Sequence, residues 1–257
     1  MMKSQLFGLI GFPLEHSFSV SYFSRKFAQE KIDAVYRNFP LKDITEFESL
    51  VESEPGLQGL NVTVPYKEKI IPYLDSLDET ARSIQAVNTI CFYREKKARE
   101  LVGSLVLEGF NTDVIGFERS LREHFDDRHH SALVLGTGGS SRAVVHVLKM
   151  LGMDVHLVSR SRGKDRIAYE DLDAEQVKRH KLIVNTTPLG MYPDLDTSPP
   201  IPYDAITPAH LLFDLVYNPE KTRFLQLGEQ QGAGIVNGYD MLVYQAEASW
   251  DIWNRKS

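Results

Sequence analysis

The stretch SALVLGTGGSSRAVVHVLKMLG (131–152) constrains the fold more than any other part of the chain. Ala132 to Leu135 is a short, continuously apolar run, the kind that forms a strand buried on both faces of a parallel sheet. Gly136, Thr137, Gly138 and Gly139 make a turn. Ser140 or Ser141 can cap the helix that follows, whose apolar positions include Ala143, Val144, Val147, Leu148 and Leu151 before Gly152 ends it. Strand, glycine turn and helix in this order can hold a pyrophosphate. Glycines let the backbone approach the phosphates, and unpaired N–H groups at the helix start point at negative charge. Ser141 stands where a strict G-x-G-x-x-G has its third glycine. A plain strand–helix turn also tolerates flexible residues, but it does not need three glycines.

The residues about 20 positions further on decide which dinucleotide fits. A carboxylate there would take both ribose hydroxyls of NAD. The chain instead carries Ser159, Arg160, Ser161, Arg162, Gly163 and Lys164. Three cations and two hydroxyls without an acid suit a 2′-phosphate, so NADP is the expected cofactor.

Around this motif the pattern is α/β. QLFGLI (5–10), AVYRNF (34–39), GLNVTV (59–64) and VNTICFY (87–93) read as strands, separated by helical segments near 19–31, 43–52 and 76–84. Further strands are expected at 154–159, 181–185 and 211–216, and a long amphipathic helix at 239–253. The alternation implies two α/β domains. Residues 1–112 plus 237–257 form a discontinuous domain with a mostly parallel sheet, and 113–236 form a Rossmann-type dinucleotide-binding domain inserted into it. The polar stretch from Glu118 to Ser131, with the pair His129–His130, reads as a helix end and a solvated loop, and Trp250 and Trp253 read as core.

Composition narrows the partners. A net charge of −6 leaves no basic surplus for nucleic acid, and no apolar run is long enough for a membrane span. The start, MMKSQLFGLIGFPLEHS, reads as a first strand rather than a signal peptide. The single cysteine, Cys91, suits a reducing cytoplasm. The histidines show no metal-ligand spacing, so no metal is expected.

Polar groups recur at expected strand ends in the first domain: Ser17, Ser19, Asn61, Thr63, Asn88 and Asp113. In open α/β sheets ligands bind outside the carboxyl ends of strands. One such residue is ordinary turn chemistry, whereas six together suggest a pocket for a small polyhydroxylated ligand. Lys67 follows the strand end in NVTVPYK and can give a proton to the oxygen that hydride attack on a ketone makes anionic. Alone, it would read as a surface lysine.

Taken together, GLIGFPLEHSFS (8–19), GLNVTVPYK (59–67), AVNTI (86–90), GFNTDVIGF (109–117), VLGTGGSSRAV (134–144), NTTPLGM (185–191), DLVYNP (214–219) and GYDMLVYQA (238–246) resemble the shikimate dehydrogenase family over nearly the whole chain. The resemblance implies reversible, NADPH-dependent reduction of 3-dehydroshikimate to shikimate, on the route to chorismate and the aromatic amino acids. It implies that Ser17 and Ser19, assisted by Tyr217, hold the substrate carboxylate, and that Asn61, Thr63, Asn88 and Gln245 bind ring hydroxyls. Lys67 would be the general acid–base, with Asp113 on a neighbouring hydroxyl keeping it in place. Gly136 to Ser140 would cradle the pyrophosphate, and Ser159, Arg160 and Lys164 would meet the 2′-phosphate. Thr186, Leu215, Gly238 and Met241 would line the nicotinamide side. A monomer or homodimer is expected. Three places depart from the family: Val20 replaces a usual proline, Gln85 a usual glycine, and Ser159-Arg160-Ser161 the common Asn-Arg-Thr, keeping the arginine. The rival readings are a quinate/shikimate dehydrogenase using NAD or NADP, and a non-catalytic NADP-sensing relative.

Overall fold

The computed structural model describes residues 4–14, 17–95 and 103–255. The chain divides into two compact units, 1–112 with 246–257, and 113–245. The returning segment of the first unit thus begins inside the last helix, at Ala246, rather than at 237.

The first unit contains β1 (Gln5–Gly11), α1 (Phe18–Glu30), β2 (Ala34–Pro40), α2 (Glu46–Ser53), β3 (Leu57–Val62), β4 (Ser76–Leu77), α3 (Glu79–Ile84), β5 (Thr89–Glu95) and β6 (Ser104–Phe110). Its sheet runs β2-β1-β3-β5-β6-β4. β1 pairs parallel with β2 and β3, and β4 with β6, but β5 is antiparallel to both β3 and β6. The link from Glu95 to Ser104 is too short for a parallel crossover, which takes about a dozen residues or more. The expected helix at 76–84 shrinks to α3 because Asp78 caps it, accepting from the N–H groups of Thr80 and Ala81.

Both faces of this sheet are covered. On one, Ile10, Leu60 and Ile90 pack with Phe47 of α2 and Ala81 of α3. On the other, Phe7, Phe23, Phe27 and Tyr36 pack with Trp250 and Trp253. Trp253 stacks on Phe7 at 4.8 Å and donates its indole N–H to the Ile90 carbonyl at 3.0 Å, which makes it core, as its sequence context suggests.

The second unit contains α4 (Asp113–Arg122), β7 (Ser131–Leu135), α5 (Gly139–Met150), β8 (Asp154–Ser159), β9 (Arg166–Ala168), α6 (Ala174–Arg179), β10 (Leu182–Asn185), β11 (Leu211–Asp214), α7 (Arg223–Gln230), β12 (Gly234–Val236) and the start of α8 (Tyr239–Arg255). Its sheet is parallel throughout, in the order β12-β11-β10-β7-β8-β9. Counted from its own first strand this is the 3-2-1-4-5-6 order of dinucleotide-binding folds. The order reverses between β7 and β10, where such folds place their ligand. The pair read as a solvated loop divides: His130 is exposed, but His129 is buried and its Nδ1 accepts from the Asp126 N–H at 3.0 Å. That burial lowers its pKa. Among the described residues no helix is long and apolar enough to cross a membrane.

Candidate active site

In the first unit the strand directions bring the carboxyl ends of β1, β3 and β6 and the start of β5 to one end of the sheet. Backbone bonds tie the loops there together. Thr63 N–H donates to the Ile10 carbonyl, Val62 N–H to Asn88, Val87 N–H to Lys67, and Asn88 N–H to Phe110, at 2.7–3.0 Å. Thr63, the half-buried Lys67 and Asn88 therefore share one rigid rim.

A buried polar net lies beneath that rim. The Asn88 carboxamide oxygen accepts from the Thr112 N–H at 2.7 Å and from the hydroxyls of Thr112 and Thr89 at 3.1 and 3.2 Å. Ser249 of α8 meets Thr89 at 2.8 Å and Thr112 at 3.2 Å. Asn111 donates to the Ala86 carbonyl at 2.9 Å. Thr89, Asn111, Thr112 and Ser249 are buried members of this net that motif reading passes over. The first three sit inside the AVNTI and GFNTD motifs, which was the available signal. Nothing local marks Ser249.

Asn61, expected among the ligand-binding residues, also bonds into this net. It is an interior residue of β3, not a strand end. Its amide faces the Ser249 hydroxyl at 2.9 Å, the Thr89 hydroxyl at 3.2 Å and the Asn88 carbonyl at 3.3 Å, three acceptors for two hydrogens, while its oxygen accepts from Tyr36 at 2.8 Å.

Ser17 and Ser19 flank the start of α1. The Ser17 hydroxyl is buried without a hydrogen-bond partner and does not cap its helix. An orphaned hydroxyl at a helix N-terminus is a cradle for a carboxylate. Gln85, at the place of the usual glycine, sits in the left-handed region at φ 54° with its side chain on the Arg82 carbonyl at 2.7 Å. Its exposed side chain keeps the backbone conformation that glycine reaches without strain.

In the second unit the expected cofactor residues collect at the carboxyl end of the sheet. Gly136 has φ +111°, and a Cβ there would lie 2.7 Å from the Thr186 hydroxyl. Thr186 donates to the Leu135 carbonyl at 2.7 Å, and Gly136 N–H to Val158 at 2.8 Å, locking the turn to its neighbours. Thr137 and Gly138 are exposed, a Cβ on Gly138 would meet nothing within 4 Å, and α5 begins at Gly139 and Ser140 without a side-chain cap. This open helix start fits a pyrophosphate. Gly238 abuts Leu215, since a Cβ would fall 2.1 Å from the Leu215 carbonyl, and Met241 is buried one turn on.

The basic loop is less uniform than its sequence. Arg160 and Lys164 are exposed, and Arg160 acts on the Tyr169 phenol, whose buried oxygen has no partner and whose pKa burial pushes up to about 12. Arg162 instead forms a bidentate pair with Asp171 at 2.6 and 2.7 Å, and the Ser159 hydroxyl donates to the Ser161 carbonyl at 2.6 Å. Both are engaged locally. Asp113 is buried as the first residue of α4, Tyr217 is half-buried beyond β11 with its phenol pKa raised by burial, and Gln245 lies on α8.

Residues 9–90 match the model of the shikimate dehydrogenase substrate binding domain. A shikimate dehydrogenase (NADP(+)) from Desulforamulus reducens is 36% identical over 276 residues, covering 98% of this chain and 90% of its own. The chain belongs to the shikimate dehydrogenase family. Among solved structures, shikimate dehydrogenase from Aquifex aeolicus is 33% identical with a TM-score of 0.84, covering 99% of this chain and 94% of its own. The shikimate 5-dehydrogenase of Thermus thermophilus, in complex with NADP(H) and shikimate, is 28% identical with a TM-score of 0.83 over 97% of this chain and 93% of its own. This chain carries a polar sheet end rich in hydroxyls in its first unit and a glycine turn on a parallel sheet in its second.

Proposed function

We propose that the protein is an NADP-dependent shikimate dehydrogenase, reversibly reducing 3-dehydroshikimate to shikimate in the pathway to chorismate and the aromatic amino acids. The observation that carries the substrate reading is the Ser17 hydroxyl. It is buried and unpartnered, whereas Asn61, Thr89, Thr112 and Ser249 bond to one another. It fits an anion that arrives with the ligand, and the carboxylate of shikimate supplies one. Ser19 and Tyr217 are proposed to assist it.

When bound, NADPH supplies the hydride. Lys67 donates a proton to the oxygen as the ketone carbon gains hydrogen, and retrieves it in the reverse direction. Asp113 orients the neighbouring hydroxyl, while Thr63, Asn88 and Gln245 hold the others. Gly136, Thr137, Gly138, Gly139 and Ser140 cradle the pyrophosphate, Arg160 and Lys164 take the 2′-phosphate, and Thr186, Leu215, Gly238 and Met241 line the nicotinamide. The buried lone thiol of Cys91 supports a cytoplasmic location.

The test is initial-rate formation of NADPH with shikimate, run beside quinate and beside NAD. Turnover with shikimate and NADP at high kcat/KM supports the proposal. Equal use of quinate or NAD would move it to the quinate/shikimate branch, and binding of NADP without turnover would leave only a sensor.

A further inference from the structure

At the amino end of β8, away from the carboxyl end that carries the glycine turn, three side chains converge that the proposed reaction does not use. Asp154 and His156 lie two residues apart on the strand and so face the same side of the sheet. His180 follows the last turn of α6. One ligand atom from each falls within 4.8 Å of the others. His180 Nε2 is 3.0 Å from His156 Nδ1, which in turn is 3.8 Å from an Asp154 carboxylate oxygen.

The proton positions can be assigned. His180 Nδ1 lies 2.6 Å from the Gln176 carbonyl oxygen. A carbonyl has no hydrogen to give, so Nδ1 carries it and Nε2 presents a lone pair towards His156. The same carbonyl accepts the His180 backbone N–H at 3.2 Å, and a capping box between Asp173 and Gln176 fixes the helix behind it. A ring nitrogen bonded to a backbone carbonyl, with the other nitrogen aimed outward, is how metal-ligating histidines are commonly held. His180 is 7% exposed, whereas the side chains of His156 and Asp154 are 42% and 73% exposed, so an anchored ligand faces two accessible ones.

We propose that Asp154, His156 and His180 bind one zinc ion, with the fourth position left to water. Two imidazoles and a carboxylate suit zinc better than magnesium or calcium, which favour all-oxygen sets. Zinc–nitrogen bonds of about 2.0–2.1 Å in a tetrahedron separate two ring nitrogens by about 3.3 Å, a few tenths beyond the present spacing. His156 becomes a ligand through Nδ1 when its hydrogen moves to Nε2, a tautomer change with no net loss of a proton. Arg179 beside His180 opposes added positive charge and holds the affinity to a moderate level. The bound ion would staple the start of β8 to the end of α6.

The experiment titrates the metal-stripped full chain with zinc chloride by calorimetry, and with cobalt by visible absorbance. One equivalent should bind, and zinc at a hundredfold over its Kd should raise Tm by roughly 5 °C. His156→Ala and Asp154→Asn change exposed side chains and keep the fold, so each should weaken binding at least about tenfold. Shikimate oxidation without added metal should be the same in both variants and the parent. Absence of binding in the parent, or equal affinity in the parent and both variants, would overturn the proposal.

Discussion

The two units present a polar sheet end by opposite means. In the first unit side chains do it: hydroxyls and amides from β3, β5, the residues after β6 and the last helix interlock, and one serine hydroxyl is left over. In the second unit the backbone does it, through a left-handed glycine, an uncapped helix start and carbonyls that lock neighbouring turns. A side-chain site can be tuned to one ring and its substituents. A backbone site takes any pyrophosphate, so its selectivity rests on a few cations at its edge.

The sharpest way to break this comparison is at Lys67. Lys67→Ala should lower kcat by roughly 10²–10⁴ while KM changes little and NADPH binding, followed by its dihydronicotinamide fluorescence, stays constant. Equal losses in turnover and NADP affinity would mean that the first unit does not confine itself to chemistry on the substrate.

The second test concerns Asp214, at the end of β11. Its carboxyl is fully buried, and burial pushes its pKa up to about 7 despite hydrogen bonds from Thr222, the Val216 N–H and Asn185. The folded chain therefore keeps a proton that the unfolded chain has lost. This contribution is complete below about pH 4 and disappears as pH rises through about 7, a change of about 4 kcal/mol. Asp214→Asn should flatten the profile, so the variant gains on the parent by that order between pH 4 and 8 in urea unfolding. A constant difference between the two would show that the carboxyl titrates normally.

Asn61→Ala probes the net from within. Leaving Tyr36 and Ser249 without their partner should cost about 3 kcal/mol of stability, read as a lower urea midpoint. The surviving folded enzyme should keep its KM for shikimate. A tenfold rise in KM at unchanged stability would return Asn61 to the ligand surface.

The smallest expected effect is at the edge of the backbone site. Arg160→Ala should reduce kcat/KM for NADP by roughly 10–100-fold and leave that for NAD nearly unchanged, the worth of one charge-assisted phosphate contact. Arg162→Ala should change either constant less than about threefold, because its guanidinium already pairs with Asp171 at the surface. If Arg162 matters as much as Arg160, the ion pair opens when the nucleotide arrives.

The same contrast explains what could be seen in the sequence. The second unit's strand, glycine turn and helix are local, so 131–152 announced both its fold and its ligand class. In the first unit β5 and β6 pair antiparallel, and β4 is two residues long, neither of which the periodicity reveals. The bonds that hold Asn61 were not legible because its partners Tyr36 and Ser249 are 25 and 188 residues away. The local bonds of Arg162 and Ser159 were not legible because the residues that engage them, Asp171 and the Ser161 backbone, form no recognisable pattern with them. Asp154, His156 and His180 escaped for a like reason, since 24 residues separate the two histidines.

The place of Ala246, Trp250 and Trp253 in the first unit's aromatic cluster has a bearing on synthesis. A ribosome delivers β1 through β6 early, yet Phe7 waits for its stacking partner and Asn61 for Ser249 until the final segment emerges. The second unit, residues 113–245, is contiguous and complete before that. The nucleotide-binding half can therefore fold first, although domains generally mature from the N-terminus. A nascent chain stalled short of Ala246 would carry a finished dinucleotide fold beside an unclosed partner, and it would be there that chaperones and proteases find their grip.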